Sequence, residues 1–441
     1  MKKRKINLQK VFNFISFIFA SVCVLWYGGR FIYFYQDSQK TIKKESNTLA
    51  TVIKNNNLEN ETNFKQIGQT YYFYNQANNN YLTYSNLTWR IIKVNKDNSI
   101  VLISDSVLTT LAYGDIKNDY ENSNLLKWLN KTEETTTSLE EKLNLSEKYL
   151  IKSNICIDTV NELNKIKCQT THNENYLGLL SLEDYINTGA NDSFINNGQY
   201  NYLANKNKDN EIWYITSEGK LDVNDGQDLY GIKPIITLNA NLEVLSGKGT
   251  LDDPYKIEDK TEFFASYVKL GNDIWRVYDI NENNLKLVLT NYITENEQPL
   301  TYVYSKAGYY HNDTIYGSLA YYLNHAYLNS LSYKDLIFET KYINTYYGED
   351  TNFSYPLKND LIDTKITVPS IGDIILNNNL DNYYTTTGIS ADEKLVYAIK
   401  KDGQATSKNT TLKANIVPTI TINKENLKAG SGTENDPYRT Q

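Results

Sequence analysis

Apolar residues fall along this chain in three regimes. From Val11 to Gly29 the run VFNFISFIFASVCVLWYGG is apolar over roughly 20 residues, the length that crosses a hydrocarbon core as a helix. From Asp37 to Gln69 the chain is polar, rich in Asn, Lys and Glu, and has no Pro and no long apolar stripe. That composition reads as a stalk, partly helical at most. Beyond about Thr70 short alternating runs are punctuated by Asn, Asp and Gly, which predicts strands and tight turns, with helical spacing in only a few stretches.

Charge orients the first run. Lys2, Lys3, Arg4, Lys5 and Lys10 precede it, whereas Arg30 and Lys40 follow it sparsely, so the positive-inside rule puts Met1 in the cytoplasm and the bulk outside the cell. Trp26, Tyr27, Tyr33 and Tyr35 suit an interfacial aromatic belt. A cleaved or lipidated signal is the rival reading, but its apolar core is usually shorter, and Val22 stands where a lipoprotein signal needs a small residue. The expected organisation is a cytoplasmic basic tail (1–10), a transmembrane anchor (11–35), a stalk (36–69) and two extracellular modules (70–259 and 260–441). The membrane is thus the first partner.

Two modules are expected because the same motifs occur twice in the same order. LTWRIIKVNKDNSIVLISDSVLT (Leu87–Thr109) pairs with DIWRVYDINENNLKLVLTNYIT (Asp273–Thr294), each a hairpin carrying Trp-Arg. LLKWLN (Leu125–Asn130) pairs with AYYLN (Ala320–Asn324), each in a stretch of helical spacing. GLLSLEDYI (Gly178–Ile186) pairs more loosely with VPSIGDII (Val368–Ile375). IKPIITLNANLEVLSGKGTLDDPY pairs with IVPTITINKENLKAGSGTENDPY, where Pro234 and Pro418 open a strand and Gly247, Gly249, Gly430 and Gly432 permit a tight turn.

This order of motifs resembles a family of uncharacterised bacterial surface modules, domains of unknown function found in anchored proteins of Gram-positive bacteria. The matching residues in the first copy are Trp89-Arg90, Trp128-Leu129-Asn130, Gly178 to Tyr185, Trp213-Tyr214, Glu218-Gly219 and Pro234. In the second they are Trp275-Arg276, Tyr322-Leu323-Asn324, Tyr383-Tyr384, Asp402-Gly403 and Pro418. Such modules are distantly similar to the C-type-lectin-like fold shared with formylglycine-generating enzymes. The resemblance implies an α+β protein: an N-terminal transmembrane helix followed by two tandem mixed α+β domains, with loops supplying any site. It does not transfer function.

Candidate chemistry is sparse. The net charge of −7 and the pI near 5.3 argue against a nucleic-acid surface, which needs concentrated basic residues, and no basic stripe is visible outside the first ten residues. Cys156 and Cys168, an even pair outside the membrane, read as a disulfide, with free thiols or a metal or catalytic role as alternatives. Formylglycine enzymes use two copper-binding cysteines, but the second copy here has none. His172, His311 and His325 are too few for a histidine-rich zinc site or a serine–histidine triad. Among the acids, Glu183, Asp184 and Asp373 sit at matching motif positions and are the least arbitrary candidates for a hydrolase, although a helix cap or turn also explains them. DVNDGQD (Asp222–Asp228) resembles a calcium loop with Gly226 one position early, so a hairpin turn on Asp225-Gly226 is expected instead. No catalytic residue, metal or cofactor is assigned.

Tyrosines number 38, and most read as core or as a bias of base composition. Trp213, Tyr214, Tyr383 and Tyr384, ahead of the loop-rich end of each module, are the candidate binding face. The expected function is non-catalytic binding of glycan, matrix or envelope protein at the cell surface. An extracellular hydrolase or modifying enzyme and a purely structural spacer are the alternatives.

Overall fold

The computed structural model describes residues 21, 23–33, 47–59, 62–114, 119–131, 138–143, 146–163, 166, 168–258, 263–305, 315–344, 360–377, 379–390 and 394–440. These form a mixed α+β protein, mostly short strands with few helices. The basic tail 1–10 and most of the anchor 11–35 lie outside the described residues. Ser21 and residues 23–33 are helical, and among the described residues no helix is long and apolar enough to cross a membrane.

One strand order occurs twice. In the first repeat Tyr81–Tyr84, Leu87–Val94, Ile100–Ser104, Pro234–Leu238 and Leu177–Leu179 lie side by side, antiparallel at each step, and Tyr255–Lys256 runs parallel to the first. In the second, Tyr267–Leu270, Asp273–Asn281, Asn284–Leu289, Thr419–Asn423 and Ile366–Thr367 repeat that order, with Tyr438–Arg439 parallel to the first. Both long strands break register at the same place, between Ile91 and Lys93 and between Val277 and Asp279.

The shared motifs each have a mechanical reason. Trp89 and Trp275 are completely buried. Arg90 and Arg276 lie over the Tyr81 and Tyr267 rings and donate to the Ala77 and Ala265 carbonyls, tying down the chain that enters the sheet. Asn130, at the end of its helix, and Asn324, within its helix, both pair like a strand with the neighbouring sheet. Asn130 accepts from the N–H of Leu177 and donates to its carbonyl (3.2 and 3.0 Å), and Asn324 does the same to Ile366 (3.0 and 2.9 Å). In the closing turn Gly247 and Gly430 have φ of +95° and +94°, and a Cβ on either would overlap the following proline carbonyl. The turn returns Tyr255 and Tyr438 to the strand that opens each repeat.

Three expectations change. Residues 47–69 are no stalk: Thr48 caps a helix Leu49–Asn57 whose Leu49 and Ile53 are completely buried, and the hairpin Phe64–Ile67 and Thr70–Phe73 pairs with Lys93–Val94. Three apolar positions on one helical face were enough to dock it, too few to stand out in a polar stretch. The Asp225-Gly226 turn is not a hairpin; it passes from the Leu221–Asn224 strand to Tyr230–Ile232, which pairs in a different sheet. Finally, Tyr383-Tyr384 is not the counterpart of Trp213-Tyr214. Ile215 faces Asn201 as Ile399 faces Tyr383, so Tyr202 corresponds to Tyr384 and Trp213 to Tyr397.

The repeats are fused along an asymmetric, head-to-tail seam. Ile371, Ile374, Ile375, Leu376 and Tyr383 of the second repeat belong to the same buried cluster as Leu108, Leu111 and Trp128 of the first. Hydrogen bonds run along it from the Trp128 indole to the Gly372 carbonyl (2.8 Å), from Ile375 N–H to Leu108 (2.8 Å), from Thr110 to Gly403 (2.9 Å) and from Ala405 N–H to Leu229 (3.0 Å).

Charge adds to the seam. In the first repeat Lys93 pairs with Asp184 at 2.6 Å. At the two corresponding positions the second repeat has Asp279 and Asp373, and Asp279 is paired both by Lys142 of the first repeat and, at 3.6 Å, by Lys286 of its own repeat. Lys142→Ala should therefore cost about 2 kcal/mol, since it leaves a largely buried carboxylate with only the longer Lys286 contact. Adding Asp279→Lys, which recreates the Lys93–Asp184 pair inside the second repeat, should recover most of that loss in denaturant titrations. Equal loss in the double variant would contradict the assignment.

Candidate functional site

The four aromatics expected to form a binding face do not form one. Tyr383 is 2% exposed and Tyr384 completely buried, its ring against Tyr304 and its hydroxyl on the Leu412 carbonyl. Tyr214 is buried among Tyr200, Tyr202 and Tyr230, and the half-buried Trp213 donates its indole N–H to Val160 (3.0 Å). Cross-strand pairing buries rings that loop proximity in the sequence makes look open.

Cys156 and Cys168 are joined as a disulfide, Cα atoms 5.6 Å apart. Asp158 sits beside it and accepts from the N–H groups of Gln169 and Thr170, both at 2.7 Å. These three residues make the one metal-capable grouping among the described residues, with its sulfurs bonded to each other and its carboxylate already engaged.

The candidate acids are kept apart. Asp184 lies in the first turn of a helix capped by Ser181 and is held by Lys93 and the Tyr72 hydroxyl (3.0 Å), with Glu183 half-buried beside it. Asp373 sits at the seam and accepts from Ser370 N–H at 2.7 Å. His172 is buried against Tyr120, His325 stacks on Tyr321, and His311 lies outside the described residues.

What the structure does assemble is a groove of about 410 Å³ on the second repeat, walled by Tyr292, Tyr327 and Tyr333 and edged by Asn272, Asp273 and Ser330. Gly271, at φ +57°, turns the chain so that Asp273 opens its strand beside Ser332 and Tyr333. Ser318 caps the helix beginning at Leu319, and a π-turn over Leu323–Tyr327 shifts its phase and brings Tyr327 inward to 8% exposure. The Tyr333 hydroxyl donates to Asp273 (2.5 Å), and its ring meets Trp275 edge-on.

Burial holds the Tyr327 and Tyr333 hydroxyls far above their ordinary range, and Asp273 adds to it at both. They stay neutral donors at any working pH. Tyr327 and Tyr333 are buried, so the open part of the groove is the half-buried Tyr292 with the polar rim of Asn272, Asp273 and Ser330.

Sequence reasoning missed these residues because three tyrosines among 38 carry no signal. Two traces existed: Asp273 stands where the first copy has Leu87, and YYLNHAYLN spaces Tyr322 and Tyr327 along one helix. A second groove of about 430 Å³ lies at the seam between Asn197, Gln199, Asn379, Asp381 and Lys401. The buried Lys233 amine donates to Asn197 there (2.6 Å), at a position where the second repeat has Val417. No family model matches this chain, and no curated protein or solved structure matches it.

Asp373 gives the seam a pH signature. Burial pushes its carboxyl up to about 6, with the neighbouring Asp279 adding to the rise and Ser370, Lys286 and Lys142 opposing it. A raised folded pKa means stability that is full below the ordinary value near 3.8 and is lost as pH climbs through 6. The Asp373→Asn variant should lose this slope, on the order of 1–2 kcal/mol between pH 4 and pH 6.5. Parallel pH profiles of the variant and parent in denaturant titrations would contradict it.

Proposed function

We propose that this is an anchored bacterial surface protein, amino terminus in the cytoplasm, whose two-repeat extracellular head binds a ligand without transforming it. Its modules are of the surface type whose motifs it shares, on a lectin-like α+β plan. The tyrosine-walled groove of the second repeat carries this reading. It is an open recess of about 410 Å³ with a polar rim of Asn272, Asp273 and Ser330 and the half-buried Tyr292 at its wall, a size that suits a small ligand segment. A glycan or a segment of envelope or matrix protein is the expected partner. The hydrolase alternative has little support, because Glu183 and Asp184 sit in one repeat and Asp373 in the seam, each tied to structural partners. The spacer alternative keeps one observation in its favour, the fused seam, which makes the two repeats a stiff unit.

The full-length chain in detergent, screened against glycan and matrix-protein arrays, should give a specific ligand. Asp273→Asn keeps the shape of the groove and removes its carboxyl group; it should weaken that ligand about tenfold. Absence of any ligand, or a ligand indifferent to Asp273→Asn and Tyr327→Phe, would favour the spacer.

A further inference from the structure

Lys233 is a lysine where the fold asks for none. It directly precedes the central strand Pro234–Leu238, its side chain is buried to 2% exposure, and the second repeat fills the same position with Val417. A buried amine costs stability that a valine does not, so its place here calls for a use other than packing. Its surroundings are specific. Nζ donates to the Ile195 carbonyl at 3.0 Å and to Oδ1 of Asn197 at 2.6 Å. The Asn197 amide is held in that orientation by its own Nδ2, which donates to the Asp105 carbonyl (2.8 Å) and to Gln199 (3.3 Å).

Burial pulls the Lys233 amine down to about 7, with the Asp105 carboxylate opposing the fall and the Arg90 guanidinium adding to it. A large share of the amine is therefore unprotonated near neutral pH, and that is the form that attacks a carbonyl. The Asn197 carbonyl carbon lies one bond behind the oxygen that Nζ touches, which is the neighbourhood of a near-attack separation of about 3–3.5 Å. Asn197 is itself exposed on the lip of the seam groove, so a small leaving group has a way out to solvent.

We propose that Lys233 and Asn197 join as an isopeptide bond once the first repeat has folded. Nζ adds to Cγ of Asn197, the new Nζ–Cγ bond replaces the Cγ–Nδ2 bond, and the proton shed by Nζ passes to Nδ2, which leaves as ammonia. The carboxyl group of Asp105, the residue whose carbonyl holds Nδ2, relays that proton. An amine and an amide enter, and an amide and ammonia result, so no oxidant or co-reactant is required. The bond ties the start of the central strand to the loop whose Gln199 side chain and Tyr200 N–H donate to the Lys401 and Asp402 carbonyls of the second repeat (3.4 and 2.8 Å). The first repeat's side of the seam is thereby held covalently. The second repeat, with Val417, has no amine to form the equivalent bond.

Intact mass and peptide mapping of the full-length chain, purified in detergent and held at mildly alkaline pH, test this. The parent chain should be lighter than its sequence by one ammonia, and digestion should yield a branched peptide joining Lys233 to Asn197. Lys233→Arg keeps the charge and cannot close the bond, and Asn197→Ala removes the acceptor; both should show their full sequence mass. The branched peptide is sought in the parent chain, so the test stands even where a substitution upsets folding. A parent chain at full sequence mass, with Lys233 and Asn197 recovered in separate peptides, overturns the proposal. Ammonia loss that persists in Lys233→Arg overturns it as well, since it marks ring closure of Asn197 on the N–H of Gly198. Asp105→Ala should retain a fraction at full sequence mass, and complete cross-linking there overturns the relay alone.

Discussion

Two carboxyl groups, Asp279 and Asp373, share a largely buried corner of the second repeat, and the rest of the molecule is arranged around that conflict. The first repeat solves the same position with a lysine and an aspartate of its own, Lys93 and Asp184. The second has Asp279 in place of that lysine and pairs it with its own Lys286 and with Lys142 from across the seam. An isolated buried carboxylate is costly, so the borrowed charge, together with the apolar residues around Ile374 and Ile375, ties the stability of one repeat to the presence of the other.

Seen this way, the chain is a short capped array. The helix Leu49–Asn57 and the hairpin Phe64–Phe73 cover the edge of the first repeat near Lys93 and Asp184, and the first repeat covers the equivalent region of the second. Arrays of this kind leave one face open at their far end. Here that face carries the tyrosine groove, where Asp273 stands in place of Leu87. Where the repeats agree they serve folding, as with Trp89 and Trp275 or Asn130 and Asn324. Where they differ they serve the seam or the open face.

Much of the fold was readable in the sequence, because the repeated residues do local work. Gly247 and Gly430 mark a turn that only glycine fits, and Pro234 and Pro418 mark the start of a central strand. The tandem order and the α+β class followed from them. The amino-terminal cap was not readable, since Leu49, Ala50 and Ile53 are three apolar residues in a polar stretch whose meaning comes from long-range contact. The register of Tyr383 was misplaced because an aromatic pair looks the same on either strand of a hairpin; only the pairing of Ile399 with Tyr383 decides it. The groove was invisible for a related reason. Tyr292, Tyr327 and Tyr333 come from three separate segments, and nothing in their spacing announces that a π-turn and a positive-φ glycine bring them together.

Hydrogen exchange measured residue by residue in moderate denaturant is the sharpest test of the fused, charge-completed pair of repeats. The seam amides of Ile375 and Ala405 should open in one step with the core amides of both sheets, such as Leu102 and Leu287, because neither repeat persists without the other. Seam amides that exchange freely while both cores stay protected would show two independent domains in mere contact, and the dependence of the second repeat on the first would be wrong.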